Sequence, residues 1–349
     1  METRRRGKRG IVRILAAFLL LSCLGLLKTQ AARRIELDRE CSLTVSVEIS
    51  SAVGGNGAYL EDFNQMEIPV SVYRVADVDV TGQNFTPEGA FAGLDLDKAT
   101  EAGSLAVDWE TMSAQAEAIR EREQPDEVGS TVVKRSEGDG PGMAGGTVGG
   151  LTPGMYLVVP EAVYNPDYSI HYEFAPYLTA LPSSDYTLTG EGSDEWVYDT
   201  TIGLKPDAVP QFGRLNITKD LADYNETLGP VTFVFEIIGR DGMGTVKYSE
   251  VESLTFSAAG IQTLTVEKIP AGLTVTVREV YSGASYEIEG SGEDTALVWS
   301  EEGVAAGVGP EAQVSFRNRY GGGNRGGYGV TNHFASDGAG GWIWNNPTD

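Results

Sequence analysis

Apolar and polar residues alternate through most of the C-terminal half of the chain. Runs at 214–219, 231–237, 254–256, 263–266, 273–280 and 314–320 follow the period of two expected of half-buried strands, and 281–289 and 295–299 complete the set. Turn signals such as Ile269-Pro270-Ala271-Gly272 separate them. About seven short strands with regular turns predict an immunoglobulin-like β-sandwich over residues 213–320.

The N-terminal half is also mainly β. Strands are predicted at 42–48, 68–75, 151–159, 174–182 and 196–205, with a Gly-rich turn at Gly54–Gly57. Trp109, Met112, Ala116 and Ile119 recur at steps of three and four, which predicts a helix over 109–122 with Asp108 as its N-cap. Residues 124–150 are Gly-rich and polar and read as a long loop, and 206–212 as a short Pro-containing linker. The expectation is a first β-sandwich domain with a helical insertion over 33–206 and a second sandwich over 213–320.

Composition adds the ends of the chain. Residues 1–32 carry seven basic residues against Glu2, then an apolar run from Ile14 to Leu27 and small residues at Ala31 and Ala32. That order predicts a secretory signal peptide, too short and too closely flanked by charge for a membrane span. The formal charge is −24 overall, so the chain beyond the signal holds −30. Such an acidic protein repels nucleic acid and anionic membranes. With Cys23 in the signal, Cys41 is left alone, without an internal disulfide, and reads as a small buried hydrophobe. Residues 321–349 form a Gly-rich tail ending in Trp342-Ile343-Trp344, read as a flexible linker with an aromatic end that pairs as a hairpin, docks or recognises something.

Three strands of the second domain each end in a different polar group: Lys219 after Leu215 and Ile217, Glu279 after Val275 and Val277, and Asn318 after Val314 and Phe316. If the first and last strands lie side by side and the middle one faces them, amine, acid and amide meet inside the sandwich. Burial favours the neutral amine, a nucleophile, and the neutral form of a carboxyl group, which can polarise the Asn318 carbonyl. Attack of the Lys219 amine on the Asn318 side-chain carbon then expels ammonia and leaves an isopeptide bond.

These residues resemble the Cna B-type domain of Gram-positive surface proteins and sortase-assembled pilins. There a Lys of the first strand, a Glu of a V-x-E strand and the Asn of a terminal F-x-N-x-Y strand crosslink. Val277 and Glu279 fill the middle motif, and Phe316, Asn318 and Tyr320 the last. In the first domain, residues 151–159 are similar to the G-L-x-P-G-x-Y-L-V segment of pilin N-terminal domains, and 174–182 to the strand ending in L-P. Trp196, Tyr198, Asp199 and Lys205 match the offsets of a class C sortase pattern, W-x-Y-D-V-x-V-Y-P-K, whose Lys accepts the next subunit; Gly203-Leu204 replaces its Y-P. The resemblance implies a secreted pilin-like or adhesin subunit of the cell surface or cell wall. Its partners would be other pilin or surface-protein subunits, a class C sortase, and a host or glycan ligand reached through residues 124–150 or the tail.

Other chemistry finds little material. No lysine lies between Lys28 and Lys98, so the first domain lacks an opening-strand nucleophile where the resemblance would place one, near Val47. Only His171 and His333 are available for a nucleophile–base pair, and neither joins Cys41 at metal-ligand spacing. Asp95-Leu96-Asp97 lacks the glycine turn and distal Glu of an EF-hand loop, and no Gly-Lys-Ser/Thr follows the glycines of the tail. The chain carries no L-P-x-T-G motif. No cofactor and no metal are expected, nor an enzyme acting on other molecules.

Overall fold

The computed structural model describes residues 34–48, 62–100, 104–137, 143–184, 195–322, 334–336 and 342–344. The signal segment with Cys23, the turn at Gly54–Gly57 and most of the tail lie outside these residues. The chain is mainly β and divides into two compact units, the second starting at Val209 and taking in Asp167–His171.

In the first unit, β1 (Cys41–Glu48), β2 (Ile68–Val78), β3 (Phe85–Pro87), α1 (Ala106–Glu123), β4 (Gly129–Val133), β5 (Met143–Leu151), β6 (Gly154–Pro160), β7 (Tyr177–Leu181) and β8 (Asp199–Gly203) follow in order. One sheet runs β3-β2-β6-β7, with β4 also on β2, and a second runs β8-β1-β5. The inward row of β1 is Cys41, Leu43, Val45 and Val47, all buried. Burial pushes the Cys41 thiol up to about 11. Met112 and Ala116 of α1 join Val75, Leu157 and Leu178 in one apolar cluster, with Trp109 and Ile119 at its border.

Three expectations need correction here. Helix α1 starts at Ala106, and Asp108 sits in its first turn, where its carboxylate accepts from the Leu105 backbone N–H at 2.8 Å. The segment 124–150 is not one long loop, since it holds β4 and most of β5. Glycine suggested a loop, but here it permits close approach: a Cβ on Gly146 would lie 2.7 Å from the Val132 carbonyl oxygen. Pro206–Pro210, expected as a linker, is itself a strand.

The second unit is a sandwich of eight strands: β9 (Phe212–Leu221), β10 (Val231–Arg240), β11 (Val246–Phe256), β12 (Gly260–Pro270), β13 (Thr274–Tyr281), β14 (Tyr286–Ile288), β15 (Glu293–Leu297) and β16 (Ala312–Tyr320). Its sheets run β12-β9-β16-β14 and β11-β10-β13-β15. Strands β9 and β16, the first and last, pair in parallel. Phe233, Phe235, Ile237, Val275 and Val277 of one sheet share a single core with Leu215, Ile217, Val314 and Phe316 of the other. Each such burial is worth roughly 1.5–3 kcal/mol. In the tail, 334–336 and 342–344 pair as a two-stranded antiparallel ribbon, Phe334 opposite Trp344.

Candidate functional site

Parity along three strands builds the site. Leu215, Ile217, Lys219 and Leu221 form the inward row of β9; Ala312, Val314, Phe316 and Asn318 form that of β16; Val275, Val277 and Glu279 form that of β13. In each row a polar side chain occupies a core position. Lys219 and Asn318 are 0% exposed, and so is the Glu279 side chain.

The three groups are in mutual contact. Lys219 Nζ donates to Glu279 Oε2 at 2.5 Å and also to Asn318 Oδ1. Asn318 Nδ2 donates to Glu279 Oε1 at 2.6 Å. The carboxyl group therefore bridges the amine and the amide nitrogen. This differs from the expected polarisation of the Asn318 carbonyl by the acid: the Lys219 amine donates to Oδ1, and the acid accepts from the NH2.

Aromatic rings close the pocket. Nζ stands 4.5 Å from the Phe233 ring centroid and 5.9 Å from that of Phe235. Phe233 in turn meets Phe256 and Tyr286 edge-on, and Phe235 packs on Phe316 at 5.2 Å. Loss of water holds the Lys219 amine below its ordinary range, against the opposing pull of Glu279 and Asp220. The odd positions of Phe233 and Phe235 in the 231–237 alternation mark both as inward-facing, but no motif in the sequence ties either ring to the amine.

Several solved structures similar to this chain are pilins. A streptococcal ancillary pilin is 13% identical, with 81% of this chain and 69% of that one covered (TM-score 0.27). The basal pilin SpaE of Lactobacillus rhamnosus GG is 12% identical over 80% of this chain and 100% of its own (TM-score 0.29). The major pilin SpaD of Corynebacterium diphtheriae is 12% identical over 82% and 99% (TM-score 0.25). No protein-family model matches the chain, and no curated protein does.

Lys205 belongs to the first unit and is exposed just after β8. The backbone before it is pinned by Leu204 N–H to the Ser46 carbonyl at 2.7 Å. Of the residues sharing its motif, Tyr198 is buried, accepts from the Glu36 backbone N–H at 2.8 Å and lies under the Arg39 guanidinium. Asp95 accepts from the Asp97 backbone N–H at 3.0 Å, which makes that acidic pair a turn at a helix start. Among the described residues, no group of His, Cys, Asp and Glu is arranged to hold a metal ion.

Proposed function

We propose that this chain is an exported, pilin-like surface protein whose second unit staples itself with an isopeptide bond between Lys219 and Asn318. The observation that supports this is the contact of three fully buried polar side chains, one of them bridging the other two. A buried ion pair is at best a weak source of stability, and apolar side chains of similar volume usually serve as well or better. An amine, an acid and an amide gathered in an apolar core fit chemistry better than packing.

The reaction follows from the contacts. Glu279 Oε2 takes a proton from Lys219, freeing its lone pair. Nζ attacks Asn318 Cγ, forming the Nζ–Cγ bond. The Cγ–Nδ2 bond breaks as Glu279 Oε1 delivers a proton to Nδ2, which leaves as ammonia. As Nζ becomes an amide nitrogen, Glu279 Oε2 takes its second proton; the acid has then accepted two protons and given one, and ends as the neutral carboxyl group. The surrounding aromatic core excludes water that would otherwise solvate the amine.

The bond would tie the first strand to the last, so tension on the ends would bypass the hydrogen-bonded ladder between them. Such a staple suits a subunit of a cell-surface fibre. Its partners would be other pilin or surface subunits, joined by a class C sortase with Lys205 as acceptor. The deciding experiment is the intact mass of the purified protein. It should be low by one ammonia, and Glu279→Ala and Asn318→Ala should each restore the full mass. An unmodified wild-type mass would end the proposal. Separately, Lys205→Ala should stop transfer of a sortase-held peptide onto this chain without altering the ammonia loss.

A further inference from the structure

We infer that Phe233 is a positioning residue for the Lys219 amine: its ring holds the ammonium in the core until Glu279 takes the proton, and so sets the pH at which the crosslink forms. This rests on the crosslinking proposal above and adds a residue to it that no pairing motif contains.

The geometry is specific. Nζ lies over the Phe233 ring at 4.5 Å from its centroid, well inside the range of a cation–π contact, while Phe235 stands farther off at 5.9 Å. Phe233 is 0% exposed, and edge-on contacts with Phe256 and Tyr286 fix its ring. An aliphatic side chain would fill the same space without the negative ring face. In a site closed to bulk solvent, that face is one of the few groups able to stabilise the ammonium while the sandwich closes around it.

The consequence has a definite sign. The reactive state carries one proton between Lys219 and Glu279, and attack needs that proton on the acid. A ring that favours the ammonium makes the amine release its proton at higher pH. Removing the ring therefore moves the rate profile of bond formation towards lower pH. The other groups around the amine stay in place in this comparison. They are Glu279 on β13 and Asn318 on β16 in direct contact, Asp220 on its own strand, Glu252 of β11 opposite Phe235, neutral Gln262 of β12 opposite Lys219, and Tyr286 of β14 behind Phe233.

The test uses the full chain recovered from inclusion bodies in denaturant, refolded by dilution into buffers spanning mildly acidic to alkaline pH. Ammonia loss is followed by intact mass. Phe233→Leu should still crosslink, with its profile shifted by about one pH unit to lower pH. Phe233→Tyr, which keeps the ring, should follow the wild-type profile. If the Leu chain does not fold, a difluorinated phenylalanine at 233 keeps the shape, weakens the ring face and should shift the profile in the same direction. A Leu or difluorinated chain with the wild-type pH dependence, slowed or not, would show that Phe233 only packs and overturn the inference. A wild-type chain that loses no ammonia at any pH would instead sink the crosslinking proposal, and this one with it.

Discussion

Leu221 pairs with Asn318 across the parallel strands β9 and β16, one inward step beyond Lys219, whose own partner is Phe316. That diagonal offset brings the Lys219 amine to the Asn318 amide while Glu279 reaches both from the opposite sheet. The two reacting residues are 99 positions apart in sequence, so bond formation can only follow assembly of the sandwich.

Closing a loop of that length should stabilise the second unit by about 4–5 kcal/mol, by analogy with a disulfide of similar span. Asn318→Ala removes the bond and is expected to lower the melting temperature of this unit by roughly 20 °C or more. Scanning calorimetry under reducing conditions checks it. A reductant should leave the wild-type transition unchanged, because the staple is an amide.

Much of this site was legible because strand parity is strict. Lys219, Glu279 and Asn318 each occupy the same phase as the Leu, Ile, Val and Phe before them, so inward-facing sequence positions alone placed them in the core. The pairing of β9 with β16 is non-local and was only a condition in the sequence, met once the sheets were seen. Phe233 and Phe235 were readable as inward, but not as neighbours of the amine, since that depends on how two sheets face each other. Strand β5 is hidden in the sequence because Gly145, Gly146, Gly149 and Gly150 resemble loop residues, whereas packing against Val132 of β4 leaves no room for a side chain at Gly146. The start of α1 is hidden in the sequence because Asp108 caps from inside the first turn, a role that a Ser/Thr/Asp-first rule assigns to the residue before the helix.

Loss of the bond and loss of charge balance should separate in two variants. Lys219→Met leaves Glu279 and Asn318 still hydrogen-bonded to each other and replaces the amine with an apolar chain of similar length. Glu279→Ala leaves a buried amine without its acid, a change that typically costs about 3–5 kcal/mol. Both abolish the crosslink, yet Glu279→Ala is expected to be the less stable by at least ~1–2 kcal/mol. Chemical denaturation of the two proteins gives the comparison directly.

The entry of β9 depends on one glycine. A Cβ built on Gly213 would lie 1.9 Å from the Trp299 carbonyl oxygen, a backbone atom that cannot rotate away. Gly213→Ala must shift β9 or the segment carrying Trp299, at an expected cost of about 1–3 kcal/mol. Because β9 carries Lys219, the same variant should also slow ammonia loss on refolding. Denaturation midpoints and time-resolved mass measurements read the two effects.

The uncrosslinked state should reveal its buried amine through pH. Desolvation holds the Lys219 amine below its ordinary value of 10.5 in the folded unit, whereas the unfolded chain keeps the ordinary value. Between those two values the unfolded state binds more protons, so stability rises with pH across that window and the burial penalty is largest below it. In Asn318→Ala the amine survives, and its unfolding free energy should climb as pH approaches 10.5. Lys219→Met/Asn318→Ala lacks the amine and provides the baseline for tyrosines and other groups that titrate in the same range. The difference between the two denaturation series should grow in favour of the lysine-bearing protein as pH rises. In the crosslinked wild type the nitrogen is an amide, so this pH-dependent contribution should be absent.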